Sequence, residues 1–158
     1  MLHPPSSFPP SAFVTPALPA PDWQPSPAST IAPLAILVVD DDKTTRHLLR
    51  LMLEHAGFKV VMAANGRQAL KSFQEREIAA VVTDIMMPSM DGLRLIRELL
   101  AFQPGAPIVA ISGADVRLEI ARQLGAKAVL RKPVGGAELV QTVRLLTAQL
   151  VAMDIVAN

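Results

Sequence analysis

The chain has 158 residues, contains no cysteine and carries a formal net charge of +1 at pH 7. This length suits one domain with a buried core. The lack of cysteine excludes disulfides and thiolate metal sites, and the small net charge gives no general argument for direct binding to nucleic acid. No apolar stretch approaches the ~20 residues of a membrane span, and the N-terminus lacks the basic residues of a secretory signal. We therefore predict a cytoplasmic protein with no membrane insertion and no direct contact with nucleic acid.

The first 33 residues differ in composition from the rest of the chain and hold ten of its 14 prolines. Each proline fixes its own φ and removes a backbone donor. We predict that residues 1–33 form a disordered tail with polyproline II character. Its simplest role is that of a tether. The alternative role is a ligand for a proline-binding or partner groove, anchored by Phe8, Phe13 or Trp23.

From residue 34 onward, apolar runs alternate with helical patterns. Continuous apolar strands suit a parallel sheet that is covered on both faces, and right-handed crossovers then give a doubly wound α/β domain. We predict that the domain spans 34–153 and is followed by a C-terminal tail over 154–158. In its first helix, Leu48, Leu49, Leu51 and Met52 are expected to face the core. The predicted strands cover 34–39, 58–63, 78–84, 107–112 and 127–131, and the predicted helices cover 44–55, 67–75, 92–102, 115–124 and 137–153.

Acidic residues stand at the ends of two predicted strands. Asp40 and Asp41 follow the first strand, and Asp84 ends the third. Ligands of doubly wound sheets bind at the carboxyl ends of the strands, so these carboxylates should gather at one edge. Like charges at that spacing are unfavourable unless they share a cation. A partly open acidic site of this kind suits Mg²⁺.

A hydroxyl and a cation follow the same pattern. Ser112 ends the fourth predicted strand and Lys132 follows the fifth. Together with Asp84 as a carboxylate nucleophile and a metal ion, they predict phosphoryl transfer to an aspartate. Taken singly, a serine or a lysine at a strand end is more often a turn residue or a surface charge. Asp42 is expected to cap the first helix, and Asp91 to serve a turn or a helix start.

Four segments carry a resemblance to a known family: LVVDDD at 37–42, TDIMMPSMDG at 83–92, AISG at 110–113 and RKP at 131–133. With these segments, the region from 34 to 153 resembles a response-regulator receiver domain, related to the chemotaxis response regulator and working alone. The resemblance implies a flavodoxin-like strand order 2-1-3-4-5 with five helices. It also implies a phosphoacceptor switch of a two-component phosphorelay, which is a regulatory domain rather than an enzyme.

The resemblance further implies how the acidic residues act. Asp84 would accept a phosphoryl group from a phosphohistidine on a sensor histidine kinase or a phosphotransfer protein. Mg²⁺ would be held by Asp40, Asp41, Asp84 and the backbone carbonyl of Met86. The domain would therefore undergo Mg²⁺-dependent phosphotransfer to its own Asp84.

The remaining site residues would read the phosphorylated product. Ser112 and Lys132 would bind phosphoryl oxygens and convert phosphorylation into movement, and the Lys132–Pro133 peptide is expected to be cis. Met86 and Ala114 hold the two positions that tune the lifetime of the phosphoryl group in the family. Neither side chain can orient a hydrolytic water, so slow self-dephosphorylation is expected.

Val129 departs from the family pattern, which usually places Tyr or Phe at this position. We expect output through a downstream protein that binds the face formed by 115–153, without an aromatic ring that turns inward. One alternative is a degenerate receiver that acts as a phosphorylation-independent interaction module. Another is an aspartate-nucleophile phosphatase, although such enzymes usually carry a second Asp where Met86 stands. A fragment of a longer regulator, with residues 1–33 as its linker, is a further possibility.

Overall fold

The computed structural model describes residues 33–156, without the side chains of 154 and 155. Apart from Pro33, the predicted disordered tail over 1–33 lies outside the described residues. Strands and helices alternate through the described part of the chain, as predicted. In chain order they are β1 (Ala35–Val39), α1 (Lys43–His55), β2 (Lys59–Ala63), α2 (Gly66–Glu75), β3 (Ala80–Asp84), α3 (Gly92–Phe102), β4 (Ile108–Ser112), α4 (Asp115–Leu124), β5 (Ala128–Arg131) and α5 (Gly136–Val156).

Five parallel strands form one sheet in the order β2-β1-β3-β4-β5, which confirms the predicted doubly wound fold. Every residue of β3 and β4 is buried. Side chains alternate along β1, so Leu37 and Val39 lie on one face of the sheet and Ile36 and Val38 on the other. Helices α2, α3 and α4 cover the first face, and α1 and α5 cover the second. This topology brings the carboxyl ends of all five strands to one edge.

The observed elements differ from the predicted ones mainly at their ends. All five strands begin one or two residues later than predicted. Helix α2 begins at Gly66, one residue before its predicted start, because the Asn65 side chain accepts a hydrogen bond from the Gln68 backbone N–H at 2.9 Å and caps the helix. Helix α5 continues to Val156, three residues past its predicted end at Met153. No glycine or proline follows Gly136, so no residue of the sequence ends the helix earlier.

Helix α1 buries a narrower face than predicted. Leu49 and Leu53, four residues apart, are buried against the sheet, and Met52 is partly buried beside them. Leu48 and Leu51 are 51% and 49% exposed, so their predicted place in the core is wrong. Successive residues of a helix are rotated by about 100°, which turns these two leucines away from the face that carries Leu49 and Leu53.

Within residues 33–156, no helix is long and apolar enough to cross a membrane. The longest, α5, has 21 residues and packs Leu139 and Val143 against the sheet. The cytoplasmic location and the predicted domain boundaries stay predictions from the sequence.

The start of α3 lies directly against the end of β3. Asp91 caps α3, as predicted, and its carboxylate accepts a hydrogen bond from the Arg94 backbone N–H at 2.8 Å. The Gly92 N–H donates to the Ile85 carbonyl oxygen at 2.8 Å. A Cβ on Gly92 would contact the Asp84 carbonyl oxygen and would lie 2.6 Å from the Ile85 Cα. Because both obstacles are backbone atoms, only glycine fits here without moving β3.

Gly92→Ala should destabilise the domain by about 1–3 kcal/mol or more, because the added methyl group overlaps the β3 backbone. Gly113→Ala is the matched control, since a Cβ at Gly113 meets no heavy atom within 4 Å. Urea unfolding of both variants and the wild type measures the free energies of unfolding. Equal stability of the two variants would contradict the close contact between α3 and β3.

Candidate functional site

The predicted site residues lie where strands of the sheet end. Asp40 follows β1, Asp84 is the last residue of β3, Ser112 is the last residue of β4, and Lys132 follows β5. Asp40, Asp84 and Ser112 are buried. Because the strands are parallel, their carboxyl ends meet at the same edge of the sheet. The structure therefore brings residues from four separate segments of the sequence into one site.

Three carboxylates converge at this edge. Asp40, Asp41 and Asp84 each offer an oxygen, and these oxygens lie within 4.8 Å of one another. Burial raises the pKa of the Asp40 carboxyl above its ordinary value, against the opposing hydrogen bond from the Asp42 backbone N–H. The negative charges of Asp84 and Asp41 raise this pKa further. The ionised cluster is therefore held together against burial and mutual repulsion.

One cation stands against the three carboxylates. Lys132 Nζ lies 3.2 Å from Asp84 Oδ1 and 3.6 Å from Asp40 Oδ2. The Lys132 backbone N–H donates to the Ser112 carbonyl oxygen at 3.0 Å, and the Lys132–Pro133 peptide is cis, as predicted. With every group ionised, three carboxylates and one ammonium leave a surplus of two negative charges.

The donor set fits a hard divalent cation. Asp40 Oδ2 is buried and accepts no hydrogen bond from any residue in the range 33–156. A buried polar atom that accepts no hydrogen bond is unfavourable, and the surplus negative charge favours a cation beside it. Mg²⁺ takes carboxylate oxygens as ligands and tolerates a partly open site. The three carboxylates therefore fit Mg²⁺ by ligand type and by charge.

Met86 and Ser112 lie beside this cluster. The Met86 backbone N–H donates to Asp84 Oδ1 at 3.3 Å, while its side chain is 53% exposed. Ser112 Oγ accepts a hydrogen bond from the Ala114 N–H at 3.1 Å. A hydroxyl that accepts in this way keeps its own hydrogen for donation. The main chain of Met86 is thus adjacent to Asp84, and the role of its carbonyl as a metal ligand stays a prediction.

The acidic loop between β1 and α1 is held by a helix cap. Asp42 caps α1, as predicted, and its Oδ2 accepts hydrogen bonds from the Thr45 N–H at 2.7 Å and the Thr45 hydroxyl at 2.6 Å. The hydrogen bond from the Thr45 hydroxyl lowers the pKa of Asp42 below its ordinary value. The Asp42 N–H in turn donates to Asp40 Oδ1 at 2.9 Å. Asp42 thus connects the acidic loop to the first turn of α1.

Sequence reasoning missed two residues whose side chains bind the backbone of the site. Arg46 Nη1 donates to the carbonyl oxygen of Asp40 at 2.7 Å and to that of Asp41 at 3.4 Å. The Thr83 hydroxyl donates to the Asp84 carbonyl oxygen at 2.9 Å. Both targets are backbone atoms, which no residue pattern reports. The only available signal was the position of Arg46 in the first turns of the helix that follows the acidic loop.

Known proteins match most of the chain. The family described as the response regulator receiver domain matches residues 36–144. An uncharacterized 14.6 kDa protein of Leptolyngbya boryana is 41% identical over 120 residues, which cover 73% of this chain and 91% of that protein. The sensory/regulatory protein RpfC of Xanthomonas campestris pv. campestris is 38% identical over 116 residues, which cover 69% of this chain. That match spans only 16% of RpfC.

A solved structure of a receiver domain is also similar to this chain. The response regulator receiver domain protein of Clostridium thermocellum superposes with a TM-score of 0.72 at 27% identity, covering 76% of this chain and 98% of that chain. The family match includes the strand ends at Asp40, Asp84 and Ser112. The chain therefore belongs to the response regulator receiver domain family, the regulatory domains of two-component systems.

Proposed function

We propose that the chain is a phosphoacceptor switch of a two-component phosphorelay and that Asp84 receives the phosphoryl group. The observation that carries this proposal is the ion pair of Asp84 with Lys132, at 3.2 Å, inside a cluster of three carboxylates. A carboxylate nucleophile needs a nearby cation that can stabilise the charge of the transferred group. Membership of the receiver family supports a phosphohistidine on a sensor histidine kinase or phosphotransfer protein as the donor.

The proposed transfer is a displacement at phosphorus. A carboxylate oxygen of Asp84 forms the new bond to phosphorus while the bond from phosphorus to the donor's imidazole nitrogen breaks. That nitrogen keeps the electron pair. Lys132 stabilises negative charge on the phosphoryl oxygens, and Ser112 donates its hydroxyl hydrogen to one of them.

In this proposal, Mg²⁺ would be held by Asp40, Asp41, Asp84 and the backbone carbonyl of Met86. When bound, the ion neutralises charge on the phosphoryl oxygens. Asp40 offers a buried oxygen that accepts no hydrogen bond within residues 33–156, and Asp41 offers one from the exposed side of the site. The protein's own contribution is to hold the carboxylates together before the donor arrives.

We further propose that the phosphorylated domain acts by binding a downstream protein. The predicted partner face over 115–153 carries Val116, Ile120 and Leu145, which are 74%, 39% and 62% exposed. Val129 is partly buried and packs against the core cluster on the side of α2, α3 and α4. Because valine offers no ring that could turn inward, the loop after Ser112 is the proposed route by which the signal reaches this face.

Asp84→Asn should abolish phosphorylation, because the side-chain amide is not a competent nucleophile. The protein is incubated with acetyl phosphate and Mg²⁺, and intact-mass spectrometry measures the added phosphoryl group. Asp115→Asn is the control, since Asp115 is an exposed acid that pairs with Arg131 at 3.3 Å, and it should be labelled like the wild type. Wild-type labelling of the Asp84→Asn protein would contradict the assignment.

Asp40→Asn should stabilise the metal-free domain at neutral pH and remove its stabilisation by Mg²⁺. The raised pKa of Asp40 means that stability is lost as the pH rises through the folded-state pKa, and a neutral amide avoids this loss. At about a hundred times its Kd, Mg²⁺ should add about 2.7 kcal/mol to the unfolding free energy of the wild type. Urea unfolding with and without Mg²⁺ measures both effects. The same Mg²⁺ gain in the variant would exclude Asp40 as a ligand.

Met86→Asn should shorten the lifetime of the phosphorylated form, because an amide can orient a hydrolytic water where a thioether cannot. The Met86 N–H lies 3.3 Å from Asp84 Oδ1, so the new side chain starts beside the reacting group. The rate of hydrolysis should rise by up to ~100-fold, the lower end of what a positioned proton-transfer group contributes. Timed phosphate release measures the rate, with Met86→Leu as the control. An unchanged rate in Met86→Asn would show that this position does not limit hydrolysis.

A further inference from the structure

The guanidinium of Arg46 binds the acidic loop from the side of α1. Its Nη1 donates to the Asp40 carbonyl oxygen at 2.7 Å and to the Asp41 carbonyl oxygen at 3.4 Å. The first distance is short, as is usual for a charged donor. The two carbonyls belong to the peptide groups on either side of the Asp41 Cα. Arg46 therefore holds both peptide planes that flank Asp41.

These two planes determine the direction of the Cα–Cβ bond of Asp41. Peptide groups are rigid, so the only soft backbone dihedrals at a residue are its φ and ψ. The Asp41 side chain itself is exposed. Within residues 33–156, its carboxylate takes part in no hydrogen bond or ion pair. The backbone therefore fixes the Cα–Cβ direction from which the χ1 and χ2 torsions place this carboxylate near Asp40 and Asp84.

The positive charge of Arg46 is not used to neutralise a carboxylate. None of the ion pairs formed in the described part of the chain involves Arg46. A cation beside a metal site repels the metal ion, so charge alone would make arginine a poor choice here. Both hydrogen bonds come from one guanidinium nitrogen, Nη1, and the planar guanidinium is preorganised, so little side-chain entropy is lost for each bond.

We propose that Arg46 is a positioning residue for the metal site and holds the loop in the conformation that brings the Asp40 and Asp41 carboxylates together. This inference rests on the proposed function, since it assumes that Mg²⁺ binds the acidic cluster. Arg46 acts through the backbone of the loop and touches neither the metal ion nor the phosphoryl group.

The two possible roles of Arg46 predict opposite changes in Mg²⁺ affinity when its side chain is removed. If Arg46 acted only through its charge, its removal would strengthen Mg²⁺ binding, because a repelling cation would be lost. If Arg46 positions the loop, its removal weakens Mg²⁺ binding, because the carboxylates are no longer held in place. The sign of the change in Kd therefore separates the two roles.

Isothermal titration of Mg²⁺ into the full chain tests the proposal. Arg46→Ala should raise the Kd about tenfold, the lower end of the loss seen when an outer partner of a metal ligand is removed. Arg46→Lys keeps the charge but places it on a flexible stem that is less preorganised for hydrogen bonding, so its Kd should lie between those of the wild type and Arg46→Ala. Arg50→Ala is the matched control, because Arg50 lies one turn further along α1 and pairs with Glu54 at 3.8 Å. Its Kd should stay within about twofold of the wild type, since screening weakens a more distant charge.

An unchanged or lower Kd in Arg46→Ala would overturn the proposal. Titration of Asp40→Asn shows which of the two ideas has failed. If Asp40→Asn binds Mg²⁺ like the wild type, the metal site itself is wrong and the proposed function fails with it. If Asp40→Asn loses binding while Arg46→Ala retains it, only the role of Arg46 fails. Urea unfolding without Mg²⁺ establishes that each variant is folded, and Arg46→Lys decides the question if Arg46→Ala does not fold.

Discussion

Repulsion among Asp40, Asp41 and Asp84 is the constraint on which the rest of the site depends. Their oxygens lie within 4.8 Å of one another, and two of the three side chains are buried where water screens charge poorly. Lys132 supplies the only ammonium within 4.0 Å of them among residues 33–156. The positive charge of Lys132 therefore neutralises only part of the negative charge of the three carboxylates. This imbalance is why the cluster fits a divalent cation, whose charge the proposed phosphoryl transfer also requires.

The three carboxylates stay close together only if the backbone that carries them cannot move apart. Contacts at the strand ends hold this backbone in place. Arg46 and the Asp42 cap hold the loop after β1. Gly92 allows α3 to lie against the end of β3, which carries Asp84. The hydrogen bond from the Lys132 N–H to the Ser112 carbonyl joins the ends of β4 and β5. None of these contacts uses the carboxylate oxygens of Asp40, Asp41 or Asp84 or the ammonium of Lys132, so the fold supports the geometry of the site independently of the ion pairs of Lys132.

The sequence predicted the fold and the location of the site because both follow from simple periodic patterns. Apolar runs that end in Asp40, Asp84 or Ser112 identify strand ends, and parallel pairing then brings those ends together. The predictions were wrong or incomplete where the residue pattern does not determine which side chains are buried or which atoms they bind. Leu48 and Leu51 are as apolar as Leu49, and only the rotation of α1 against the sheet decides which of them is buried. Arg46 was missed because its partners are backbone carbonyls, which have the same chemistry at every residue.

The hydrogen bonds of Ser112 suggest how events at Asp84 reach the proposed partner face without an aromatic ring. Helix α4 has no side-chain cap, and the N–H of its N-cap residue, Ala114, donates to Ser112 Oγ. The hydroxyl can donate its hydrogen to a phosphoryl oxygen while Oγ still accepts from this N–H, so a movement of the Ser112 side chain would reach the start of α4, while the bond from the Lys132 N–H to the Ser112 carbonyl keeps the end of β4 in place. The change is then confined to the start of α4, one turn or less from the exposed Val116. A start without a side-chain cap lacks one hydrogen bond that would otherwise stabilise it, and this connection requires nothing of the side chain at Val129.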